Sequence, residues 1–197
     1  EGLPEIKPAP VIKNGYVTFG CLNKPEKLND QVIALWSRVL KAVPDSRLYL
    51  KYFNHYSQES MRKRWEKKFV DNGIDADRLI FNSGMDDRSS HLELYSAMDI
   101  ALDPFPFNGA TTTFEAMTMG MPVITLLGQN FVDRVAASIA THAGFPEFIA
   151  KTEDDYVALA VEMASDPVKL NTLRQGMRDA LHQSDICNSE PYSRSVE

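Results

Sequence analysis

Cysteine is scarce. Cys21 and Cys187 are the only two in 197 residues. Two thiols so far apart make neither a disulfide framework nor a metal cluster, and a reducing, cytoplasmic compartment is the default expectation. The four histidines are scattered and lack the spacing of a zinc site. Long apolar runs are missing too: none approaches the ~20 residues of a membrane span. Residues 1–10 lack the basic and apolar regions of a signal peptide. Positive charge is not concentrated: 21 basic residues face 27 acidic ones, for a net charge of -6. A nucleic-acid backbone reader needs a concentrated basic face, so that class is disfavoured. Neither a GxGxxG fingerprint nor a Walker motif occurs, which weakens dinucleotide and ATPase readings.

What is present is an ordinary globular composition, 44% hydrophobic and 24% charged, able to bury a real core. Residues 1–15 hold Pro4, Pro8 and Pro10, show no periodicity, and read as an extended linker. Residues 16–183 read as one lobe and 184–197 as a tail cut short. Within the lobe, short apolar segments alternate with helical patterns. Strands are expected at 16–20, 47–53, 79–81, 99–102, 123–126 and 148–150. Helices are expected at 30–43, 57–73, 89–98, 111–119, 133–143, 153–164 and 167–182. Strands separated by helices must pair in parallel, because parallel pairing needs a long crossover. The fold class is therefore α/β, a Rossmann-like doubly wound parallel sheet. Such sheets bind ligands outside the C-terminal ends of their strands. The loops to inspect are 21–30, 54–57, 82–90, 103–113 and 127–133.

The richest of these runs from Asp103 through Pro-Phe-Pro-Phe-Asn-Gly-Ala into Thr111, Thr112 and Thr113. A strand ends, a glycine-bearing loop follows, and threonines open a helix. Exposed N–H groups and the helix dipole suit an anion there. Gly109 lets backbone approach a diphosphate closely. Glu115, one turn on, offers a carboxylate to ribose hydroxyls. Taken alone, a threonine triplet favours plain capping of the helix. Lys27, alone, reads as a surface lysine, but its loop follows the first strand on the binding edge. His91 reads equally as a packing histidine. His55 follows a strand and faces either the cleft or its neighbours; His142 and His182 read as surface residues. Arg134 is expected to pair with a carboxylate inside the lobe. Arg62, Lys63, Arg64, Lys67 and Lys68 read as a solvated helix face broken by Trp65 and Phe69. Met85, Met98, Met117, Met119 and Met121 read as core fillers. Cys21 reads as a small packed thiol, and Asp103 as a shaper of the loop after it.

Phe114-Glu115-Ala116-Met117 followed by Gly120-Met121-Pro122-Val123-Ile124 resembles the donor-site helix and strand of GT-B glycosyltransferases. The run from Leu102 to Thr113, with Asp133-Arg134-Val135-Ala136-Ala137-Ser138, is similar to the O-GlcNAc transferase / SPINDLY family. Phe19-Gly20-Cys21-Leu22-Asn23-Lys24-Pro25-Glu26-Lys27, Arg78-Leu79-Ile80-Phe81 and His91 extend the likeness in the family's order. The resemblance implies a two-lobed enzyme that transfers a sugar from a nucleotide donor to Ser or Thr of proteins with inversion. It implies that this chain is the C-terminal, donor-binding lobe, without the repeats and the other lobe that receive the protein acceptor.

Carried over by position, Lys27 meets the donor's diphosphate, and Thr111 and Thr112, with Thr113 beside them, hold it at the helix start. Glu115 takes the ribose, Arg88 lies near the ribose, and His91 near the base. Asn108 and Gly109 form the preceding loop. The implied donor is UDP-GlcNAc, with no resident cofactor and no metal; neither nucleic acid nor a membrane is an expected partner. Two departures stand out. Ala110 replaces a histidine of animal relatives. The Pro-Phe-Pro-Phe and triple-Thr pattern leans towards SPINDLY relatives, some of which use a GDP-linked sugar. Retaining GT-B enzymes carry an acid eight residues before the glutamate matched by Glu115; here Phe107 stands there, which fits inversion. The competing readings are a degenerate lobe kept as an interaction module, and another GT-B chemistry such as epimerisation or small-molecule glycosylation.

Overall fold

The structure is a computed structural model that describes residues 2–84 and 87–188. Met85 and the tail from 189 onward lie outside the described residues. Six strands form one parallel sheet: β1 (Thr18–Cys21), β2 (Arg47–Lys51), β3 (Leu79–Asn82), β4 (Ile100–Leu102), β5 (Val123–Leu126) and β6 (Ile149–Ala150). Their order is β3-β2-β1-β4-β5-β6. Chain order runs outward in one direction from β1 and then in the other from β4. The reversal lies between these two strands, where Phe19 pairs with Ile100 and Gly20 with Ala101. That is the switch point at which such sheets open a crevice.

The helices are α1 (Pro10–Asn14), α2 (Asp30–Ala42), α3 (Glu59–Asp71), α4 (Arg88–Glu93), α5 (Thr111–Thr118), α6 (Val135–His142), α7 (Glu153–Ser165) and α8 (Pro167–Gln183). Strand residues alternate between two cores, as a period of two requires. Leu48, Leu50, Ile100, Leu102 and Ile124 join Trp36, Trp65, Phe69 and Tyr156 on one face. Tyr49, Ala101 and Val123 join Met98, Met117, Met119, Met121 and Met177 on the other. Met98, Met117, Met119 and Met121 therefore fill core space as expected, and Met177 joins them. α2 starts because the Asn29 side chain accepts from Val32 N at 2.9 Å. It stays because it buries Val32, Ile33, Leu35, Trp36, Val39 and Leu40, at roughly 1.5–3 kcal/mol per large apolar side chain. α3 buries only Trp65 and Phe69, and its lysines pair on the surface, Lys63 with Glu59 and Lys67 with Asp71.

The reading of residues 1–15 as an extended linker is corrected. Residues 10–14 make a helical turn, and the chain before it is fastened to α8. The Arg174 guanidinium, fully buried, donates to Lys7 O at 2.9 Å, Met98 O at 2.8 Å and Tyr95 O at 2.9 Å. Arg178 donates to Pro4 O at 2.7 Å. Val11 N and Thr18 N both donate to the Asp99 carboxylate, at 2.9 and 2.8 Å. Prolines suppressed local periodicity here; order comes from partners far along the chain. Elsewhere boundaries differ by a few residues. The helix expected at 89–98 is α4 plus a 3-10 turn at Leu94–Ala97.

Candidate donor-binding site at the switch point

Two loops meet over the gap between β1 and β4. The first leaves β1, turns at Pro25–Lys27 and enters α2. The second leaves β4 at Asp103 and enters α5 at Thr111. They are tied together by side chains from both. Asn29 Nδ2 donates to Phe105 O at 2.9 Å. Lys27 Nζ donates to Asn108 O at 2.8 Å and to Asn23 Oδ1 at 3.1 Å, and stands 4.5 Å from the centre of the Phe107 ring. Partial burial holds the Lys27 pKa below its ordinary value, while Asp103 and Cys21 pull it up.

The start of α5 is open. Its N-cap is Ala110, and no side chain caps it. The plain capping reading of Thr111–Thr113 is therefore set aside. Thr111 is exposed, Thr112 Oγ1 donates to Asn23 Oδ1 at 3.0 Å, and Thr113 Oγ1 is buried with no partner. The leading N–H groups of a helix have no intrahelical acceptor, so this end presents free donors and a positive dipole end. Asp103 shapes the loop as expected: its Oδ1 accepts from Gly109 N at 2.7 Å and its Oδ2 from Thr125 Oγ1 at 2.8 Å. A Cβ on Gly109 would lie 2.7 Å from both Thr112 Oγ1 and Thr113 Oγ1. Only glycine fits. Asn108 anchors the same loop through Nδ2 to Pro104 O at 3.0 Å and N to Val132 O at 3.0 Å.

Beside the helix tip is a cavity of about 330 Å³ whose lining includes Leu22, Tyr52, Phe53, Arg88, His91, Thr112 and Glu115. Glu115 Oε2 accepts from Tyr95 OH at 3.0 Å and lies 3.3 Å from His91 Nε2. Burial pushes the Glu115 carboxyl up, yet the hydrogen bonds from His91 and Tyr95 and the charges of His91 and Arg88 outweigh it, leaving the pKa below the ordinary value. A larger hollow of about 620 Å³, lined in part by Phe131, Arg134 and Ile149, lies along α6 and the β6 edge and contains none of the residues expected at the site.

The structure thus brings Lys27, Asn108, Gly109, Ala110, Thr111, Thr112 and Thr113 to one edge, with Arg88, His91 and Glu115 around the adjoining cavity. Asn23, Tyr95 and Phe107 join them without having been given a binding role. Asn23 was visible only as a member of the run from Phe19 to Lys27, and Phe107 only as the residue in place of a retaining enzyme's acid. His55 does not face the cleft: it accepts from Trp65 Nε1 at 3.3 Å. Arg134 donates to the Gly128 carbonyl at 3.0 Å, not to a carboxylate. Cys21 is buried, and burial pushes its thiol up to about 12. Among the described residues, no group of three or more His, Cys, Asp or Glu is placed to hold a metal ion. No helix among them is long and apolar enough to cross a membrane.

Residues 11–196 match the model of Glycosyl transferase family 41. The chain belongs to that family. It is 37% identical over 192 residues to a Hordeum vulgare protein described as "Probable UDP-N-acetylglucosamine--peptide N-acetylglucosaminyltransferase SPINDLY", covering 98% of this chain and 20% of the relative. The Arabidopsis thaliana counterpart is 37% identical over 198 residues, covering 98% and 21%. The UDP-N-acetylglucosamine--peptide N-acetylglucosaminyltransferase of Caenorhabditis elegans is 29% identical over 181 residues, covering 92% and 15%. The chain therefore spans about a fifth of the length of its curated SPINDLY relatives. Among solved structures, a K341M mutant of the Thermobaculum terrenum O-GlcNAc transferase superposes with TM-score 0.88 at 30% identity, over 98% of this chain and 36% of that one. The C-terminal domain of a Francisella tularensis group 1 glycosyl transferase, LpcC, superposes with TM-score 0.61 at 17% identity, over 91% and 93%. The family-41 lobe has the parallel α/β architecture of GT-B glycosyltransferases.

Proposed function

We propose that this family-41 chain is the donor-nucleotide lobe of a protein O-glycosyltransferase that takes UDP-GlcNAc and delivers the sugar, with inversion, to Ser or Thr of an acceptor protein. The observation that carries the reading is the uncapped start of α5 facing the Lys27 ammonium across the switch point. The relatives' names support the donor and the peptide acceptor.

In this reading the diphosphate rests on the N–H groups of Thr111–Thr113, with Gly109 permitting the approach. Glu115 receives the ribose hydroxyls, and Arg88 and His91 border the nucleoside. The acceptor hydroxyl attacks the anomeric carbon as the bond to the diphosphate breaks. The electron pair leaves on the phosphate oxygen, where Lys27 and the helix dipole stabilise it. The hydroxyl proton goes to a base supplied by the rest of the protein, since Glu115 is committed to the ribose and Asp103 is buried. Charge is met by side chains and N–H groups, so no metal is invoked. A reducing cytoplasmic setting fits the two unpaired thiols.

A second reading, a GDP-linked sugar, is favoured by the Pro-Phe-Pro-Phe and triple-Thr run shared with the SPINDLY side. Calorimetry of the chain with UDP, UDP-GlcNAc, GDP and GDP-fucose, with and without EDTA, decides between them. Binding of a uridine nucleotide indifferent to EDTA is expected. Lys27→Ala should weaken diphosphates and spare the nucleoside, whereas Glu115→Ala should weaken both. Silence from all four ligands at millimolar concentration would sink the proposal.

A further inference from the structure

We infer that Asn23 is a positioning residue that aims the Lys27 ammonium and fixes the Thr112 hydroxyl, through one amide oxygen that accepts from both. The inference rests on the reading of Lys27 given above.

Asn23 is nearly buried, 8% exposed, in the turn after β1. Its own N–H reaches back to Cys21 Sγ at 3.4 Å, which helps hold the turn. An ammonium has three N–H donors. One goes to Asn23 Oδ1 at 3.1 Å and one to Asn108 O at 2.8 Å. These acceptors come from the loops after β1 and β4, so both strands of the switch point set the ammonium's orientation. A single N–H remains, and its direction is fixed by the other two. A lysine on its flexible stem would otherwise sample many rotamers, and ordering it beforehand removes that cost from the reaction.

The same oxygen takes the single hydroxyl hydrogen of Thr112 at 3.0 Å. At Thr112, then, the donor left for a phosphate is the backbone N–H, while the exposed Thr111 keeps a free hydroxyl. Asn23 thereby links the cationic and helical halves of the site. An apolar residue of similar size would leave both donors without a common acceptor.

The experiment uses the full-length enzyme and steady-state transfer from the sugar nucleotide, in wild type, Asn23→Ala, Lys27→Ala and the double variant. Asn23→Ala should lower kcat about tenfold and move the donor KM less than about twofold, because orientation rather than binding is lost. On the Lys27→Ala background the same substitution should lower kcat much less, since only the Thr112 hydroxyl is then released. Asn23→Asp keeps an oxygen in place: most of kcat should return, while KM rises because a carboxylate opposes the diphosphate. Full kcat in Asn23→Ala, or an equal fall on both backgrounds, overturns the inference and leaves the Lys27 reading standing. Unchanged kcat in Lys27→Ala overturns both.

Discussion

Asp103 and Gly109 lie at opposite ends of the loop that precedes α5, and the Asp103 Oδ1 accepts the Gly109 N–H at 2.7 Å. The loop is closed on itself by a buried carboxylate. The three oxygens that surround the missing Gly109 side chain all belong to Asp103, Thr112 and Thr113.

Gly109→Ala tests that closeness. A methyl 2.7 Å from two threonine hydroxyls forces the helix tip or the loop to move. Overpacking of this kind costs about 1–3 kcal/mol. The displaced N–H groups should also lose nucleotide affinity by about tenfold or more. Urea unfolding and calorimetry measure the two effects. Unaltered affinity would show that the tip is not where the diphosphate rests.

Asp103 also makes a pH prediction. Burial raises its pKa from the ordinary 3.8 to about 7, against the pull of Gly109, Thr125 and Lys27. Between these values the folded state holds a proton that the unfolded state has released. Folding stability therefore falls as pH rises through that window and levels off above it. Asp103→Asn carries no such proton. Wild-type stability relative to the variant should decline from acid to neutral pH in denaturant titrations. A constant difference across the window would refute the assignment.

Arg174 is the third test. Its guanidinium satisfies the carbonyls of Lys7, Tyr95 and Met98 inside the lobe. Arg174→Met keeps much of the apolar stem but strands the Met98 carbonyl and leaves those of Lys7 and Tyr95 with only the longer bonds from Gln175 Nε2 at 3.3 Å and Met98 N at 3.4 Å. A loss of about 3 kcal/mol or more is expected in chemical unfolding. A loss well under that would mean water reaches these carbonyls.

The thiols give the simplest check. Cys187 is exposed, and Cys21 is buried with its pKa pushed up to about 12. The thiolate is the reactive form. An aromatic disulfide reagent should label one thiol in the native chain and the second only after unfolding. Rapid labelling of both would place Cys21 in an open site.

Much of this molecule was legible in its sequence because the signals were local. The apolar strands, the Asn29 cap and the Gly120 stop each act within a few residues. So does the threonine run at α5. Six parallel strands followed from alternation alone, and with them the C-terminal strand ends as the edge to inspect; the strand order and its reversal came only with the structure. Asn23 was not legible in this way, since its role exists only when Lys27 and Thr112 arrive from different loops. Tyr95 and His91 meet Glu115 only across two helices. The opening residues misled because prolines erase periodicity whether a segment dangles or docks. Arg134 misled because a guanidinium donates to a backbone carbonyl as well as to a carboxylate.

The clasp between Pro4, Lys7 and α8 carries a practical lesson for anyone dissecting longer relatives. A boundary drawn at the first strand would look tidy on a topology diagram. It would also take the Lys7 carbonyl from Arg174 and the Pro4 carbonyl from Arg178 on the back of the final helix. Expression trials that begin ahead of Pro4 should yield well-behaved material, and those that begin at Thr18 should yield inclusion bodies.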